Sequence, residues 1–249
     1  MESKFRINWH DRLDSTNSEA LRQISRLDNL SVVAALEQTA GRGQRGNRWS
    51  SDPGENLTFS IVLQFGAEGP APLPARKQFN LSCVATLALR EFLGEAGASV
   101  RIKWPNDIYA GDRKICGMLI ENGLSGESLA YSVVGIGLNL NQRTFPVELV
   151  NPTSLARLTG RHYPLRDSLE TLLGHFDKWL TYLYDTELLH REYLKHLYRI
   201  GEPYGYVDCI RDENVRGSIS GITPEGRLLL SLPDGSTRSY GFKEISYII

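Results

Sequence analysis

Short apolar runs alternate with amphipathic stretches along the first 200 residues of the chain. Apolar runs rich in β-branched residues predict strands, and apolar residues spaced three and four apart predict helices. The predicted strands cover residues 5–10, 31–36, 57–64, 100–104, 114–121 and 128–140. The predicted helices are one that opens within residues 13–17 and runs to about residue 27, and three over residues 76–97, 152–160 and 165–190. Thr16 and Glu19 have the spacing of a capping box at the start of the first helix.

After about residue 200 the pattern changes to short strands separated by tight turns such as Pro224-Glu225-Gly226. The predicted strands here are residues 205–210, 215–222, 227–232, 237–240 and 244–248. We therefore expect an α+β fold with two domains. Residues 1–200 should form a mixed β-sheet with flanking helices, and residues 201–249 a small β-barrel.

A loop rich in glycine and arginine lies between two predicted strands, at residues 37–53. Glycine lets successive backbone N–H groups turn towards a ligand, and such groups form an anion-binding nest. Arginine adds a permanent charge and a planar donor fork for carboxylate or phosphate. This composition indicates an anion site, although a solvated basic surface loop has the same composition.

Composition and charge narrow the possible functions. The chain has 249 residues and a net charge of -1, so no global positive field draws it to nucleic acid. The three cysteines are far apart, which argues against a disulfide framework or a zinc site and fits a reducing cytoplasm. No apolar run approaches the roughly 18–20 residues that span a bilayer. We expect a cytoplasmic protein with no membrane partner.

Four polar clusters lie at predicted strand ends or helix starts, at residues 15–17, 38–49, 103–107 with Lys114, and Asn139. Such ends gather at one edge of a sheet, where α/β proteins usually bind ligands. Several cations, a carboxamide-rich wall and an aspartate suited to Mg²⁺ suggest the joining of a carboxylate to a nucleotide phosphate. On these residues alone, the chain is a nucleotide or acyl-anion ligase, and Mg²⁺ would lie near Asp107.

At these clusters the sequence resembles the biotin–protein ligases, also called biotin–[acetyl-CoA carboxylase] ligases. The matching motifs are Asp14-Ser15-Thr16-Asn17, Gln38-Thr39-Ala40-Gly41-Arg42-Gly43 through Trp49, Lys103-Trp104-Pro105-Asn106-Asp107, Arg113-Lys114-Ile115-Cys116-Gly117 and Gly135-Ile136-Gly137-Leu138-Asn139. They occur in the family's order, and residues 217–246 look like its C-terminal SH3-like barrel. The resemblance therefore covers almost the whole chain.

The resemblance implies an enzyme that catalyses two half-reactions. Biotin and MgATP give biotinyl-5′-adenylate and pyrophosphate, and a lysine of a biotin carboxyl carrier domain then displaces AMP. ATP, Mg²⁺ and biotin are the implied ligands. Only thirteen residues precede Asp14, too few for the helix-turn-helix domain of members that repress transcription. The expectation is a monofunctional ligase without DNA binding, and a homodimer is possible.

Site residues carry over from the family motifs position by position. Ser15, Thr16, Asn17 and Gln38 should line the biotin pocket, with Gly41 and Arg42 at the biotin carboxylate and Gly117 under the bicyclic ring. Trp49 and Asn139 should contact adenine, and Asn106 and Asp107 should lie near the phosphates. Lys114 should bridge carboxylate and α-phosphate and, with Arg42 and Asp107, carry the catalysis. Lys103 and Trp104 are interpreted as structural residues at a strand end.

Two departures from the family pattern qualify this assignment. Where the family often has a second arginine, this chain has Gln44, and Arg45 or Arg48 is expected to replace the charge. The last strand lacks the arginine by which some members meet ATP phosphates, so no such contact is expected. Two rival functions remain: a lipoate or octanoate–protein ligase of the same fold, and a nucleic-acid or peptide-binding module built on the C-terminal barrel.

Overall fold

A seven-stranded mixed sheet forms the larger part of the computed structural model, which describes residues 4–43, 46–66 and 69–249. Its strands are β1 (Arg6–Leu13), β2 (Ser31–Gln38), β3 (Leu57–Gln64), β4 (Arg101–Lys103), β5 (Asp107–Ala110), β6 (Arg113–Ser125) and β7 (Ser128–Leu138). The strands lie in the order β1-β2-β3-β7-β6-β5-β4, and β1 runs parallel to β2 while the other neighbours are antiparallel.

Helices cover both faces of this sheet. They are α1 (Thr16–Arg22), α2 (Phe79–Glu95), α3 (Leu155–Thr159), α4 (Leu165–Leu180) and α5 (Thr186–Lys195). The main core lies on the α2 side, whereas Ala20 of α1 packs on the opposite face with Val33, Val62 and Val133. Because both faces are covered, β2 and β3 read as continuous apolar runs rather than alternating ones.

The first helix begins differently from the prediction. Ser15 has extended backbone angles and is the N-cap residue, so Thr16 is already helical and the predicted capping box is wrong. The side-chain oxygen of Gln38 accepts from the Thr16 N–H at 2.8 Å instead. The first turn of α1 is thus joined to the end of β2.

Two other element predictions need correction. The predicted helix over residues 165–190 is two helices, because Asp185 caps α5 by accepting from the Leu188 N–H at 3.0 Å. No strand was predicted between residues 104 and 114, yet Asp107 begins β5 there and pairs with Lys103 across the β4–β5 ladder. The 104–106 connection is therefore a tight hairpin turn that places charged side chains on neighbouring strands.

The C-terminal part is a five-stranded antiparallel sheet. Its strands are β8 (Pro203–Asp208), β9 (Glu213–Ile222), β10 (Leu228–Ser231), β11 (Thr237–Tyr240) and β12 (Ile245–Tyr247), in the order β11-β10-β9-β8-β12. No ladder joins β11 to β12 within residues 203–249, so the sheet is open and the predicted closed barrel is wrong. The strand number and antiparallel order agree with an SH3-like domain.

Aromatic residues join the two sheets. The Trp104 indole N–H donates to the Gly226 carbonyl at 2.9 Å, and the Phe242 ring lies 5.4 Å from that of Trp104. This packing gives Trp104 the structural role that its strand-end position predicts. The domain boundary after residue 200 stays a prediction. In the part of the chain that the structure describes, no helix is long and apolar enough to cross a membrane.

Candidate active site

A cleft of about 690 Å³ lies where α1, the ends of the central strands and β12 meet. It brings together most of the predicted site residues from segments far apart in sequence. Those lining it are Ser15, Thr16, Asn17, Gln38, Arg42, Trp49, Asn106, Asp107, Lys114, Gly117 and Asn139. Gly41 is a buried residue of the loop and does not line the cleft, and Gln44 and Arg45 lie outside the described residues.

One end of the cleft is a network of polar side chains, all neutral except the carboxylate of Glu121. The buried Ser60 hydroxyl donates to Asn17 Oδ1 at 2.6 Å and lies 2.8 Å from Thr16 Oγ1. The Asn17 amide donates to the Leu119 carbonyl at 3.1 Å and to a Glu121 oxygen at 2.9 Å. These hydrogen bonds fix the side-chain orientations before any ligand arrives. The network suits a neutral ligand group that both donates and accepts hydrogen bonds.

Gly135 makes this network possible. A Cβ atom built on Gly135 would lie 2.0 Å from Asn17 Oδ1, much closer than van der Waals contact. Gly135 is in a central strand, opposite Leu119 of β6. Only a residue without a side chain lets Asn17 approach the strand this closely.

The loop arginine is held by a carboxylate from the central sheet. The two terminal guanidinium nitrogens of Arg42 donate to Glu121, at 2.8 Å and 3.1 Å. The same carboxylate accepts from Asn17, so Arg42 is linked to the polar network. Two contacts of this kind fix the plane of the guanidinium as well as its position.

The loop itself folds back as a narrow turn. The Trp49 N–H donates to the Gly41 carbonyl at 2.9 Å, and the Gly43 N–H donates to the Asn47 carbonyl at 2.7 Å. A Cβ atom on Gly41 would lie 2.3 Å from the Trp49 carbonyl oxygen, so glycine is required for this approach. The turn carries Arg42 on one side and Trp49 on the other.

Lys114 and Asp107 form the central ion pair of the cleft. Lys114 Nζ lies 2.7 Å from Asp107 Oδ2, and both side chains are partly exposed to the cleft. The backbone of Lys114 is fixed by hydrogen bonds to Asn151 and Thr153, at 2.8 Å and 2.9 Å. Lys114 therefore projects from a fixed backbone, while its ammonium can exchange the aspartate for a ligand anion.

Two glycines form an open floor beneath Trp49. A Cβ atom on Gly137 would lie 2.3 Å from Trp49 Cε2, and one on Gly117 would lie 3.2 Å from Cζ3. The indole N–H is buried and has no hydrogen-bond partner among the described residues. Asn139, at the end of β7, donates its amide to the Thr153 carbonyl at 2.9 Å. The Trp49 indole, which packs directly on the strand backbone at Gly117 and Gly137, therefore forms one flat wall of the cleft that suits a planar ligand group.

Comparisons with known proteins agree with this site. Residues 9–139 match the sequence model of the biotin/lipoate A/B protein ligase family, and residues 208–246 match that of the biotin protein ligase C terminal domain. The chain is 34% identical over 233 residues to the biotin–[acetyl-CoA-carboxylase] ligase of Paracoccus denitrificans, which covers 90% of this chain and 93% of that relative. The chain belongs to the biotin protein ligase family.

Other members of the biotin protein ligase family extend the likeness. The bifunctional ligase/repressor BirA of Escherichia coli strain K12 is 33% identical over 240 residues, 94% of this chain and 71% of that protein. Among solved structures, the biotin protein ligase from Aquifex aeolicus in complex with biotin and ATP has a TM-score of 0.77 and 25% identity over 97% of each chain. These comparisons confirm the predicted fold class, apart from the closure of the barrel.

Several residues that line or support this cleft were not predicted from the sequence. Glu121 does not itself line the cleft, but it holds Arg42 and Asn17 there. Its place could have been found, because it lies on the same face of β6 as Gly117 and Leu119, at a spacing of two. Lys103 and Trp104 were interpreted as structural, but both line the cleft, as does Tyr247 of β12. No local pattern marks Tyr247, since its place depends on how the C-terminal sheet packs.

Proposed function

We propose that this chain activates biotin with ATP as biotinyl-5′-adenylate and transfers it to one lysine of a biotin carboxyl carrier protein. It is a carbon–nitrogen bond-forming ligase, in keeping with the ligase names of the two relatives described above. The observation that carries the proposal is that Arg42 and Lys114, from segments about 70 residues apart, line the same cleft. Two cations there suit two anionic substrates.

Biotin occupies the end of the cleft that holds the polar network. Ser15, Thr16, Asn17 and Gln38 hydrogen-bond the ureido head, which both donates and accepts. The bicyclic ring packs against the strand at Gly117 once the side chains of Lys114 and Trp49 move aside, since these lie 3.0 Å and 3.2 Å from a Cβ atom built there. Arg42 then meets the carboxylate of the valeryl tail, together with backbone N–H groups near Gly41. Arg48 also lines the cleft, and it replaces the charge of the second arginine that the family often has at the position of Gln44.

ATP lies with its adenine against Trp49 and Asn139 and its phosphates near Asn106, Asp107 and Lys114. The magnesium ion enters bound to ATP as part of the substrate. Residues 4–43, 46–66 and 69–249 contain no cluster of three or more His, Cys, Asp or Glu side chains suited to a metal. A single aspartate fits an ion that keeps its phosphate and water ligands and takes one or two carboxylates.

Charge cancellation is the main task of this site. Two unit charges 4 Å apart repel by about 1 kcal/mol in water and about 4 kcal/mol at an effective dielectric constant of 20. Arg42 and Lys114 offset this repulsion and hold the biotin carboxylate in line with the α-phosphorus. Lys114 leaves Asp107 to contact the α-phosphate, where negative charge builds up in the transition state.

The second half-reaction needs no nucleophile from the enzyme. The neutral ε-amine of the carrier lysine attacks the carbonyl carbon of the mixed anhydride. An amide bond forms, the carbon–oxygen bond to AMP breaks, AMP leaves with the electron pair, and the amine nitrogen releases one proton to solvent. Three free cysteines in the described structure support the proposal of a reducing, cytoplasmic location. A homodimer is retained as a prediction.

Mass spectrometry of a carrier domain tests this function. The purified chain is incubated with the carrier domain, MgATP and one of biotin, lipoate or octanoate. We expect mass addition with biotin only, and loss of that addition when the carrier lysine is replaced by arginine. Addition of lipoate or octanoate in place of biotin would support the rival ligase, and no addition with any acid would refute the enzyme assignment.

We expect Gly135→Ala to weaken biotin binding by about 10-fold or more. The new methyl group displaces Asn17 from Ser60 and Glu121, and disrupting such a buried network costs about 1–3 kcal/mol. Calorimetric titration with biotin measures the effect. Gly174→Ala is the control, because Gly174 lies on α4 and a Cβ atom added there would meet no atom within 4 Å. Equal biotin affinity in both variants would contradict the pocket assignment.

A further inference from the structure

Lys103 lies in the cleft where the seven-stranded sheet meets the C-terminal sheet. Its ammonium donates to the Tyr109 hydroxyl at 3.1 Å and lies 4.6 Å from the centre of that ring. The ring of Tyr247, from β12, lies 4.9 Å away. Lys103 is therefore held between one tyrosine from each sheet. Such contacts orient a cation without neutralising it.

The two cations assigned to the biotin carboxylate and the α-phosphate are neutralised. Glu121 pairs with Arg42 and Asp107 pairs with Lys114. Within the described ranges no carboxylate forms an ion pair with Lys103, although Asp107 is its neighbour across the β4–β5 ladder. Burial lowers the pKa of Lys103, and the charge of Asp107 partly opposes that shift. A desolvated ammonium with unused N–H donors is stabilised by an anion from the ligand.

Tyr247 is built to hold this lysine rather than to titrate. Its hydroxyl is buried and has no hydrogen-bond partner among the described residues. Burial raises the pKa of Tyr247 well above its usual value, so the phenol stays neutral. The ring packs edge-on against Tyr206, with centroids 5.2 Å apart, which fixes its face towards the cleft.

The order of strands arranges these charges in a row. Strand β6 carries Lys114 and also Glu121, the partner of Arg42. The neighbouring strand β5 carries Asp107, and the edge strand β4 carries Lys103. Strands lie about 4.8 Å apart, so Lys103 is about 10 Å from β6 across the sheet. The proposed function places the biotin carboxylate at Arg42 and the α-phosphate of ATP at Lys114. The β- and γ-phosphates of ATP then lie next along this row, at Lys103.

We propose that Lys103 binds the β- and γ-phosphates of ATP and stabilises the departing pyrophosphate, with Tyr109 and Tyr247 holding its ammonium in place. This inference rests on the proposed function. In the step concerned, a carboxylate oxygen bonds to the α-phosphorus while the bond from that phosphorus to the bridging oxygen breaks. The electron pair remains on pyrophosphate, whose added charge faces Lys103, and no proton moves.

Kinetics of the Lys103→Met variant test this role. We expect the KM for ATP to rise about 10- to 100-fold and inhibition by inorganic pyrophosphate to weaken by a similar factor. The KM for biotin should change less than two-fold, and single-turnover transfer from synthetic biotinyl-5′-adenylate to the carrier should keep its rate. Lys195→Met, at an exposed lysine of α5, is the matched control.

A double-mutant cycle tests Tyr247 as a positioning residue. Tyr247→Leu should raise the KM for ATP in the wild-type background and leave it unchanged in Lys103→Met. Additive effects in the double variant would overturn the positioning role. Thermal unfolding of each variant separates these effects from loss of structure.

Two other results would overturn the inference. If Lys103→Met keeps both its KM for ATP and its pyrophosphate inhibition within two-fold of wild type, Lys103 has no phosphate role. If transfer from synthetic biotinyl-5′-adenylate falls as much as pyrophosphate release does, the substitution impairs the whole active site and not a contact to the β- and γ-phosphates. A wild-type chain that forms no adenylate would instead refute the proposed function, and the inference with it.

Discussion

Lys114→Ala is expected to lower the rate of pyrophosphate release about 100- to 1,000-fold, the range for loss of one group that stabilises transition-state charge. The substitution has a second consequence, because Asp107 loses the partner 2.7 Å away and its free charge then faces the incoming phosphates. Both effects act on the chemical step. Biotin binding in the absence of ATP should change little.

The measurement is pyrophosphate release with biotin and MgATP in the absence of carrier. Lys195→Ala serves as the control, and the unfolding temperature of Lys114→Ala should stay close to that of wild type. The pair is partly exposed, so its contribution to stability is small. Release by Lys114→Ala within ten-fold of the wild-type rate would contradict the catalytic role.

Arg42→Ala is expected to weaken biotin binding about 100-fold. Part of this loss is the missing guanidinium, and part is the exposed charge of Glu121, which would then face the biotin carboxylate. Glu121→Gln removes that charge and keeps an oxygen that accepts from Asn17. The double variant should therefore bind biotin about 5- to 10-fold more tightly than Arg42→Ala alone.

Calorimetric titration of the four proteins in this cycle measures the coupling between the two residues. In the wild-type background Glu121→Gln should weaken biotin binding, because Arg42 loses the carboxylate that positions it. A change of sign between the two backgrounds is the expected signature. If Glu121→Gln weakens binding equally in both backgrounds, Glu121 does not act through Arg42.

The sequence predicted well what depends on local pattern. The strand positions follow from apolar runs, and the polar motifs at strand ends meet in one cleft because those ends share one edge of the sheet. Element limits were less accurate where a distant residue decides them. The start of α1 depends on Gln38, whose side-chain oxygen accepts a hydrogen bond from the Thr16 N–H although the two residues are 22 positions apart in sequence. The helix break before α5 depends on the cap at Asp185.

The partners of the charged site residues could not be predicted from the sequence. Predicting the contact between Glu121 and Arg42 requires the register of β6. Predicting the position of Lys103 beside Asp107 requires the β4–β5 hairpin that pairs them. The position of Tyr247 requires the packing of a second sheet against the first. Whether the C-terminal strands close into a barrel depends on the distance between β11 and β12, which alternating hydrophobicity does not encode.

Isotope transfer from biotin to AMP tests the central claim, that the cleft lets a biotin carboxylate oxygen attack the α-phosphorus of ATP. Biotin labelled with ¹⁸O at both carboxylate oxygens is incubated with MgATP and the carrier domain, and both products are weighed by mass spectrometry. We expect one ¹⁸O atom in AMP and one in the new amide on the carrier. Unlabelled AMP accompanying biotinylated carrier would contradict the account.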